Sequence, residues 1–272
     1  MCGRYASSVR DAEVVDLLDV DDVVGEELPP SWNVAPTDDV RVVLERPLRG
    51  QDGRGDGGRG QGGRGDDEDP PGPSRQLRTA RWGLVPSWSK DPSTGARMIN
   101  ARSETLTQRS AFRVAASRRR CLVPADGYYE WQAVPGQRRK TPWFLRDGDG
   151  ALLTFAGVYE LWRDRSRPDD DPARWLWSVA VVTTAAHDAL GEIHDRTPLV
   201  VPPGARDDWL STTTTELEEV RALVASLPEP HLVPHVVGPE VGDVRQDGPH
   251  LARPRPPGDG SPGGGAATGG PA

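Results

Sequence analysis

The residue with the most reactive combination of groups is Cys2, which directly follows the initial methionine. Aminopeptidases remove an initial methionine when the next side chain is small, so we expect Cys2 to become the first residue. Its α-amine, with a pKa near 7.7–8.0, and its thiol, with a pKa near 8.5, would then be two nucleophiles on one residue. Added to one aldehyde carbon, they give an imine and then a thiazolidine ring. The sequence therefore offers an aldehyde trap or an N-terminal nucleophile, unless Cys2 is simply a small buried residue.

Three other polar side chains stand in apolar surroundings and could assist such chemistry. Asn100 follows two apolar residues, Glu130 lies between two aromatic residues, and His194 falls in a predicted loop between a helix and a strand. Burial would raise the pKa of the Glu130 carboxyl and make it a usable acid. Each of the three, taken alone, is equally typical of a structural polar group.

The chain also contains nine tryptophans, several of them in loop motifs. Trp88 and Trp131 flank the polar motifs. Aromatic rings in such positions are typical of base stacking on single-stranded nucleic acid, and the alternative is packing in the core or at its rim.

Composition limits the possible classes of protein. The 272 residues carry a net charge of −8 and two cysteines, Cys2 and Cys121. Two cysteines exclude a disulfide framework, and no Cys-x-x-Cys pair suggests a metal site, so we expect no metal. The lack of a long apolar stretch or signal peptide predicts a soluble, cytoplasmic protein that does not enter membranes. The negative charge argues against a general nucleic-acid coat, although the arginines of 118–120 and 138–139 could form a local basic surface.

Residue patterns predict the elements that position these side chains. Helical spacing indicates a helix over Asp11–Asp19, capped by Ser7 or Ser8, and another over Glu216–Leu227. Pro142–Arg146 and Leu152–Trp162 are predicted to form a hairpin, and 32–37 a loop. Strands outnumber helices and no regular alternation of strand and helix occurs. This favours an α+β fold, a single domain built on a mostly antiparallel β-sheet or barrel core with short flanking helices.

Two segments have a composition that cannot bury apolar surface. Residues 46–76 are rich in Gly, Arg, Asp and Pro, and residues 253–272 are rich in Pro and Gly. We expect the first to be a disordered insertion within a domain of residues 1–252 and the second to be a disordered tail.

Six motifs follow one another along the chain: Met1-Cys2-Gly3-Arg4-Tyr5, Trp32-Asn33-Val34-Ala35-Pro36, Arg81-Trp82-Gly83-Leu84-Val85-Pro86-Ser87-Trp88, Asn100-Ala101-Arg102-Ser103-Glu104-Thr105, Arg120-Cys121-Leu122-Val123-Pro124-Ala125-Asp126-Gly127-Tyr128-Tyr129-Glu130-Trp131 and Ile193-His194-Asp195-Arg196-Thr197-Pro198. In this order they resemble the SRAP family, the abasic-site processing proteins first named SOS response-associated peptidases. Residues 242–249 resemble the terminal motif of the family. The resemblance runs from residue 2 to about residue 251, interrupted by the low-complexity insertion.

The resemblance implies a DNA-repair function without a metal or organic cofactor. Family members bind single-stranded DNA that contains abasic sites, including sites at junctions with a duplex, and form a thiazolidine cross-link through the N-terminal cysteine. The resemblance further implies that the protein acts as a monomer, cleaves DNA at abasic sites as a lyase and can reverse its own cross-link. Mapped by motif, Cys2 is the nucleophile, Asn100 orients it, Glu130 transfers protons, and His194 assists Schiff-base chemistry, strand cleavage or reversal.

The resemblance also implies a set of DNA contacts. Phosphates would be held by four arginines, Arg4, Arg102, Arg109 and Arg196. Bases would stack on Trp88 and Trp131, and the cleft would be lined by Thr183 and Asn33. Two features depart from the family pattern. Thr197 occupies a position where many members carry Met or Arg, and the stretch 91–97 differs from shorter loops.

Two other functions are consistent with the residues. A thiol peptidase or N-terminal-nucleophile amidohydrolase would use Cys2 to attack an amide with His194 as the base, and it would need an oxyanion hole and a peptide cleft. A non-covalent single-strand binder would bind DNA in a salt-dependent way without the Cys2 thiol.

Overall fold

The computed structural model describes residues 2–46 and 73–255. Within these ranges it contains thirteen strands and five α-helices, joined by loops and short 3-10 turns. The strands are β1 (Tyr5–Ser7), β2 (Asp22–Val24), β3 (Ser31–Val34), β4 (Asp39–Arg46), β5 (Ser74–Trp82), β6 (Asn100–Arg102), β7 (Arg120–Ala125), β8 (Gly127–Gln132), β9 (Thr141–Asp147), β10 (Leu153–Arg163), β11 (Trp175–Ala185), β12 (Arg196–Pro198) and β13 (Leu232–Val236). The helices are α1 (Asp11–Leu18), α2 (Arg113–Arg118), α3 (Asp188–Ile193), α4 (Arg206–Leu210) and α5 (Leu217–Ser226).

Five strands close into a barrel. Neighbouring strands pair antiparallel in the order β11, β10, β7, β4 and β5. The ring is completed by a parallel contact between β5 and β11, in which Arg81 lies opposite Ser178 and Trp82 opposite Val179. Closure removes the free edges that an open sheet would present. The predicted α+β fold with a mostly antiparallel barrel core is confirmed.

A second, antiparallel sheet carries the amino terminus of the described chain. Its strand order is β13, β9, β8, β1 and β3, so that β1 lies between β8 and β3. Tyr5 of β1 pairs with Tyr128 of β8 on one side and with Val34 of β3 on the other. A three-residue strand held on both sides places the residues that precede it at a fixed position.

Aromatic side chains anchor β1 to the barrel. The Tyr5 ring meets the Trp82 ring edge to face at a centroid distance of 5.2 Å and the Phe155 ring at 6.0 Å, and Tyr128 meets Phe155 at 6.0 Å. Such pairs contribute about 0.5–1.5 kcal/mol each beyond the burial of their area. The same hydrophobic cluster includes Cys2. The chain therefore packs its second residue into the core.

Three local predictions are wrong. Strands β9 and β10 do not form a hairpin: β9 pairs with β8 and β13, whereas β10 pairs with β7 and β11, so the turn at 147–150 joins the two sheets. Of the predicted loop 32–37, residues 32–34 belong to strand β3 and only 35–37 are loop. Helix α1 is not capped by a serine, because the Asp11 amide donates to the Glu27 carboxylate at 3.2 Å. In each case the strand or side chain that pairs with the segment is distant in sequence, and local residue patterns do not indicate which distant segment that is.

The ordered domain is larger than predicted at two boundaries. Arg46 and residues 74–76 belong to the ladder between β4 and β5, with Arg46 opposite Ser74 and Leu44 opposite Gln76. Near the carboxyl end, the Arg255 amide donates to the Val236 carbonyl at 2.8 Å. Polar residues join these contacts because ladder bonds use backbone groups. The rest of both predicted disordered segments lies outside the described residues.

Candidate active site and DNA-contact residues

Strand pairing brings Cys2 and Glu130 to the same region. Beyond the pair Tyr5 and Tyr128, the ladder continues with the Tyr129 amide donating to the Arg4 carbonyl at 2.9 Å. Extending this register places Gly3 opposite Glu130. Because side chains alternate along a strand, Glu130 and Tyr128 share the face of β8 that packs on the core containing Cys2.

Asn100 holds the main chain of the predicted nucleophile. Its Nδ2 atom donates a hydrogen bond to the Cys2 carbonyl oxygen at 2.8 Å. Strand β6 carries Asn100 there through its parallel pairing with β11, in which Asn100 lies opposite Val181. The Asn100 Oδ1 atom is buried and has no hydrogen-bond partner in residues 2–46 and 73–255. Asn100 therefore contacts the backbone of Cys2, and its role in orienting the nucleophile stays a prediction.

Burial sets the protonation of both Cys2 and Glu130. Cys2 is fully buried, and burial together with the nearby negative charge of Glu130 raises the pKa of its thiol far above the usual range. Glu130 is 3% exposed, and burial raises the pKa of its carboxyl to about 7. The thiol therefore needs a base to become a nucleophile, and Glu130 is able both to donate and to accept a proton at neutral pH.

His194 lies between α3 and β12, with 24% of its side chain exposed. Its Nδ1 atom accepts a hydrogen bond from the Arg196 amide at 3.0 Å, so the neutral ring carries its proton on Nε2. Asp195 Oδ1 lies 2.9 Å from the same Nδ1 atom, a contact that would favour the charged ring, but Asp195 is largely exposed. Burial lowers the pKa of the His194 ring, and this effect outweighs the opposite effect of Asp195. His194 is accordingly neutral at physiological pH.

A buried hydrogen bond that sequence reasoning missed joins β12 to β8. Tyr128 Oη and Thr197 Oγ1 lie 2.9 Å apart, and both side chains are buried. Thr197 follows the His194 segment, and Tyr128 stands two residues before Glu130 on the same strand face. In the sequence, only the departure of Thr197 from the family pattern draws attention to this residue. The fold is needed to show that its partner is Tyr128.

We expect Thr197→Val to destabilise the protein by about 1–3 kcal/mol, because the valine keeps the shape and leaves the buried Tyr128 hydroxyl without this partner. Urea denaturation would measure the loss. In the double variant with Tyr128→Phe, both polar groups are gone and part of the stability should return. Additive losses in the double variant would contradict this coupling.

Three of the predicted DNA contacts lie on the surface. Arg102 and Arg109 are exposed, and Trp88 is 64% exposed. Trp131 is half-buried, and the Arg4 guanidinium lies 5.9 Å from its ring centroid. These positions leave Arg102, Arg109 and Trp88 accessible to a DNA strand.

Four other predicted contacts are engaged inside the protein. Arg4 donates to Asn33 Oδ1 at 2.7 Å and to the Val241 carbonyl at 2.8 Å. Asn33 is 4% exposed and Thr183 is 1% exposed. Arg196 forms an ion pair with Glu104 and donates to the Thr183 carbonyl at 2.6 Å. Their roles as DNA contacts stay predictions, and the internal contacts give each of them a structural role.

The carboxyl-terminal motif tethers the strand next to β1. Asn33 Nδ2 donates to the carbonyls of Asp243 at 3.0 Å and Gln246 at 2.7 Å, and the Trp32 amide donates to the Asp247 carboxylate. Through Arg4 and Asn33, residues 241–247 are connected to the segment that carries Cys2. Sequence reasoning recognised this motif without assigning it a partner.

Two kinds of feature are absent from residues 2–46 and 73–255. No helix in this part of the chain is both long and apolar enough to cross a membrane. In the same part, no three residues among His, Cys, Asp and Glu come together in a way that could hold a metal ion.

Comparison with known proteins identifies the family. A family model described as SOS response associated peptidase (SRAP) matches residues 1–244. The abasic site processing protein YoaM of Bacillus subtilis is 30% identical over 225 residues, which cover 82% of this chain and 85% of YoaM. The abasic site processing protein HMCES of Rattus norvegicus is 27% identical, covering 93% of this chain and 76% of HMCES. A crystal structure of a Bordetella bronchiseptica protein superposes with a TM-score of 0.63 at 25% identity, over 87% of this chain and all of that one. This chain belongs to the SRAP family.

Proposed function

We propose that this protein captures abasic sites in single-stranded DNA, including sites near a duplex junction, through a covalent bond at Cys2. The observation that carries the proposal is the placement of Cys2: Asn100 holds its main chain, and Glu130, a buried carboxyl with a pKa of about 7, lies beside it. The names of the relatives, abasic site processing proteins, support the choice of substrate. We further propose that it acts as a cytoplasmic monomer in the response to DNA damage and needs no metal or organic cofactor.

In the proposed reaction, Glu130 first donates a proton and later takes one back. The freed α-amine of Cys2 adds to the aldehyde carbon of the ring-opened abasic sugar, and one amine proton passes to the carbonyl oxygen, which gives a neutral carbinolamine. Protonated Glu130 donates its proton to the carbinolamine hydroxyl, water leaves, and a protonated imine remains. The Glu130 carboxylate then takes the thiol proton, and the sulfur adds to the imine carbon. The products are a neutral thiazolidine, one water and the original protonated Glu130.

The fixed geometry contributes by holding both nucleophiles on one residue. Once the imine has formed, the thiol attack is intramolecular, which removes the entropy cost of bringing the two groups together. The hydrogen bond from Asn100 to the Cys2 carbonyl limits rotation of this residue. His194, with its proton on Nε2, would donate to a sugar oxygen during ring opening or strand cleavage. Elimination from the imine before ring closure would account for lyase activity.

The test is a denaturing gel of the purified protein with single-stranded DNA that carries one abasic site. We expect a heat-stable product whose mass is one water less than the sum of protein and DNA. A variant with a lysine inserted between Met1 and Cys2 should retain its methionine, keep the thiol and form no such product. If the wild type lacks Met1 yet yields no product while it cleaves peptide amides, the amidohydrolase alternative replaces the proposal.

Trp88→Ala is expected to weaken binding of single-stranded DNA by about 1–3 kcal/mol, because the 64%-exposed ring would lose base stacking. Fluorescence anisotropy with a labelled, lesion-free oligonucleotide would measure this effect. Leu17→Ala, which truncates another exposed apolar side chain, is the matched control. Equal affinities for both variants would remove Trp88 from the proposed DNA surface.

A further inference from the structure

A second group of basic and aromatic side chains lies at one end of the barrel. The Trp177 ring stacks on Tyr159 with a centroid distance of 5.4 Å and an interplanar angle of 20°. The guanidinium carbons of Arg78 and Arg46 lie 4.6 and 5.7 Å from the Trp177 centroid. Burial raises the pKa of Tyr159 to about 12, and the positive charges of Arg46, Arg119 and Arg78 oppose that rise. Three guanidinium groups thus surround one aromatic pair, which we call the Trp177 cluster.

Strand register separates this cluster from Cys2. Phe155 on β10 contacts Tyr5 and Tyr128, next to the Cys2 site. Leu161, six residues further along β10, lies opposite Trp177 on β11. Six residues of extended strand span about 20 Å. The Trp177 cluster is therefore a different location from the candidate active site, toward the other end of the barrel.

The charges in the cluster favour an anion. Among the described residues, Arg119 is paired with Glu160 at 2.9 Å, and Arg78 Nε donates to the neutral Gln76 Oε1 at 2.8 Å. Guanidinium groups that lie close together repel one another, and an anion bound between them lowers that repulsion. A guanidinium that stacks on an aromatic face still presents N–H donors at its edge, in the planar geometry that matches phosphate oxygens.

An exposed aromatic ring extends the cluster along β11. Trp175 is two residues from Trp177 and therefore points to the same face of the strand. Its side chain is 36% exposed, and the Arg174 guanidinium lies 5.4 Å from its ring centroid. Arg46, Arg78 and Trp177 are themselves only half-buried, which leaves them within reach of a ligand. Alternating cations and accessible rings are typical of surfaces that bind single-stranded nucleic acid.

We propose that the Trp177 cluster is a second anion site, which holds a backbone phosphate of single-stranded nucleic acid through Arg46 and Arg78 while Trp175 offers a ring face to a base. This site does not use Cys2. It goes beyond the capture of abasic sites and does not depend on that chemistry.

The experiment compares the full-length protein with the double variant Arg46→Gln/Arg78→Gln. Binding of a labelled, lesion-free oligothymidylate is followed by anisotropy at several salt concentrations. Loss of the one phosphate that both arginines hold should weaken binding and reduce the slope of log K against log salt by roughly 0.7, the value for each phosphate of a single strand. Arg10→Gln, which removes an exposed arginine paired with Glu27, is the matched control and should leave the slope unchanged.

The possible outcomes separate the parts of the proposal. Thermal melting checks that the double variant is folded; if it is not, Trp175→Ala and Arg78→Lys replace it, and both should weaken binding. An affinity and slope equal to those of Arg10→Gln would overturn the site. Inorganic phosphate or a mononucleotide could quench tryptophan fluorescence in the wild type and not in the variant, while oligothymidylate binding stays unchanged. That result would support an anion site and overturn its assignment to a nucleic-acid strand.

Discussion

Cys2→Ala is expected to abolish the heat-stable protein–DNA product while leaving a product that borohydride can trap. Alanine is also small, so Met1 should still be removed and the α-amine remains free to form an imine with the abasic aldehyde. Without sulfur the imine cannot close to a thiazolidine, and it hydrolyses when the sample is heated. Denaturing gels run with and without borohydride would measure the two products separately.

This pair of gels separates the roles of the two nucleophiles on Cys2. The lysine-insertion variant keeps the thiol but turns the Cys2 nitrogen into an amide, so it should give no heat-stable product. Because Cys2 is fully buried among apolar residues, a melting curve should accompany the alanine variant to show that the fold is kept. A heat-stable product formed by Cys2→Ala would mean that another side chain makes the bond.

Glu130→Gln is expected to slow cross-link formation by about 10²- to 10⁴-fold, the usual contribution of a positioned acid or base. The amide cannot give a proton to the carbinolamine or take one from the thiol. In the wild type the rate should peak at a pH between about 7 and 8, because the α-amine must be neutral and Glu130, with its pKa of about 7, must still be protonated in part. The fall in rate above this pH should be absent in the glutamine variant. Single-turnover rates measured from pH 5 to 9 would show this.

The same substitution should make the protein more stable at alkaline pH. Burial raises the pKa of Glu130 from 4.5 to about 7. The folded state therefore holds this proton more tightly than the unfolded state, and the free energy of unfolding of the wild type falls as pH rises from about 4.5 to about 7. Glutamine has no such proton. The stability difference between variant and wild type should thus grow to an order of 1–3 kcal/mol above pH 8.

Urea denaturation at pH 5 and pH 8 would test whether Glu130→Gln raises the free energy of unfolding relative to the wild type at the higher pH. Glu160→Gln is a useful comparison, because Glu160 is also buried but forms an ion pair with Arg119. Burial raises the pKa of Glu160 as well, but the positive charge of Arg119 opposes that rise, so this variant should gain less stability at pH 8 than Glu130→Gln. If Glu130→Gln were also destabilising at pH 8, the interactions of the charged carboxylate would outweigh its burial.

Candidate reactive groups can be predicted from this sequence more directly than its topology. Cys2 was identified from its position and its two nucleophiles, and Glu130 from its aromatic neighbours, because those arguments are local. The α+β class followed from the number of strands. The closure of the barrel between β5 and β11 did not, because that contact joins residues about 100 positions apart through backbone groups, which every residue has.

The structural roles of several predicted site residues were likewise inaccessible. A motif match assigns Asn33 to the cleft but cannot show that its amide binds the carbonyls of Asp243 and Gln246. The Trp177 cluster is a similar case, because Arg46, Arg78 and Trp177 belong to three strands, and no sequence pattern brings them together. Local patterns indicate residue types suited to a reaction, whereas long-range pairing decides which of them meet.

The central position of β1 between β8 and β3 has a consequence for synthesis of the chain. Cys2 is fully buried, so the proposed removal of Met1 would have to take place while the nascent chain is still open. Strand β8 leaves the ribosome about 120 residues after β1, which at 5–20 residues per second is a delay of about 6–24 s. During this interval the first residues have no partner on that side. Order of synthesis would therefore give the proposed processing step time to expose the amine before folding encloses it.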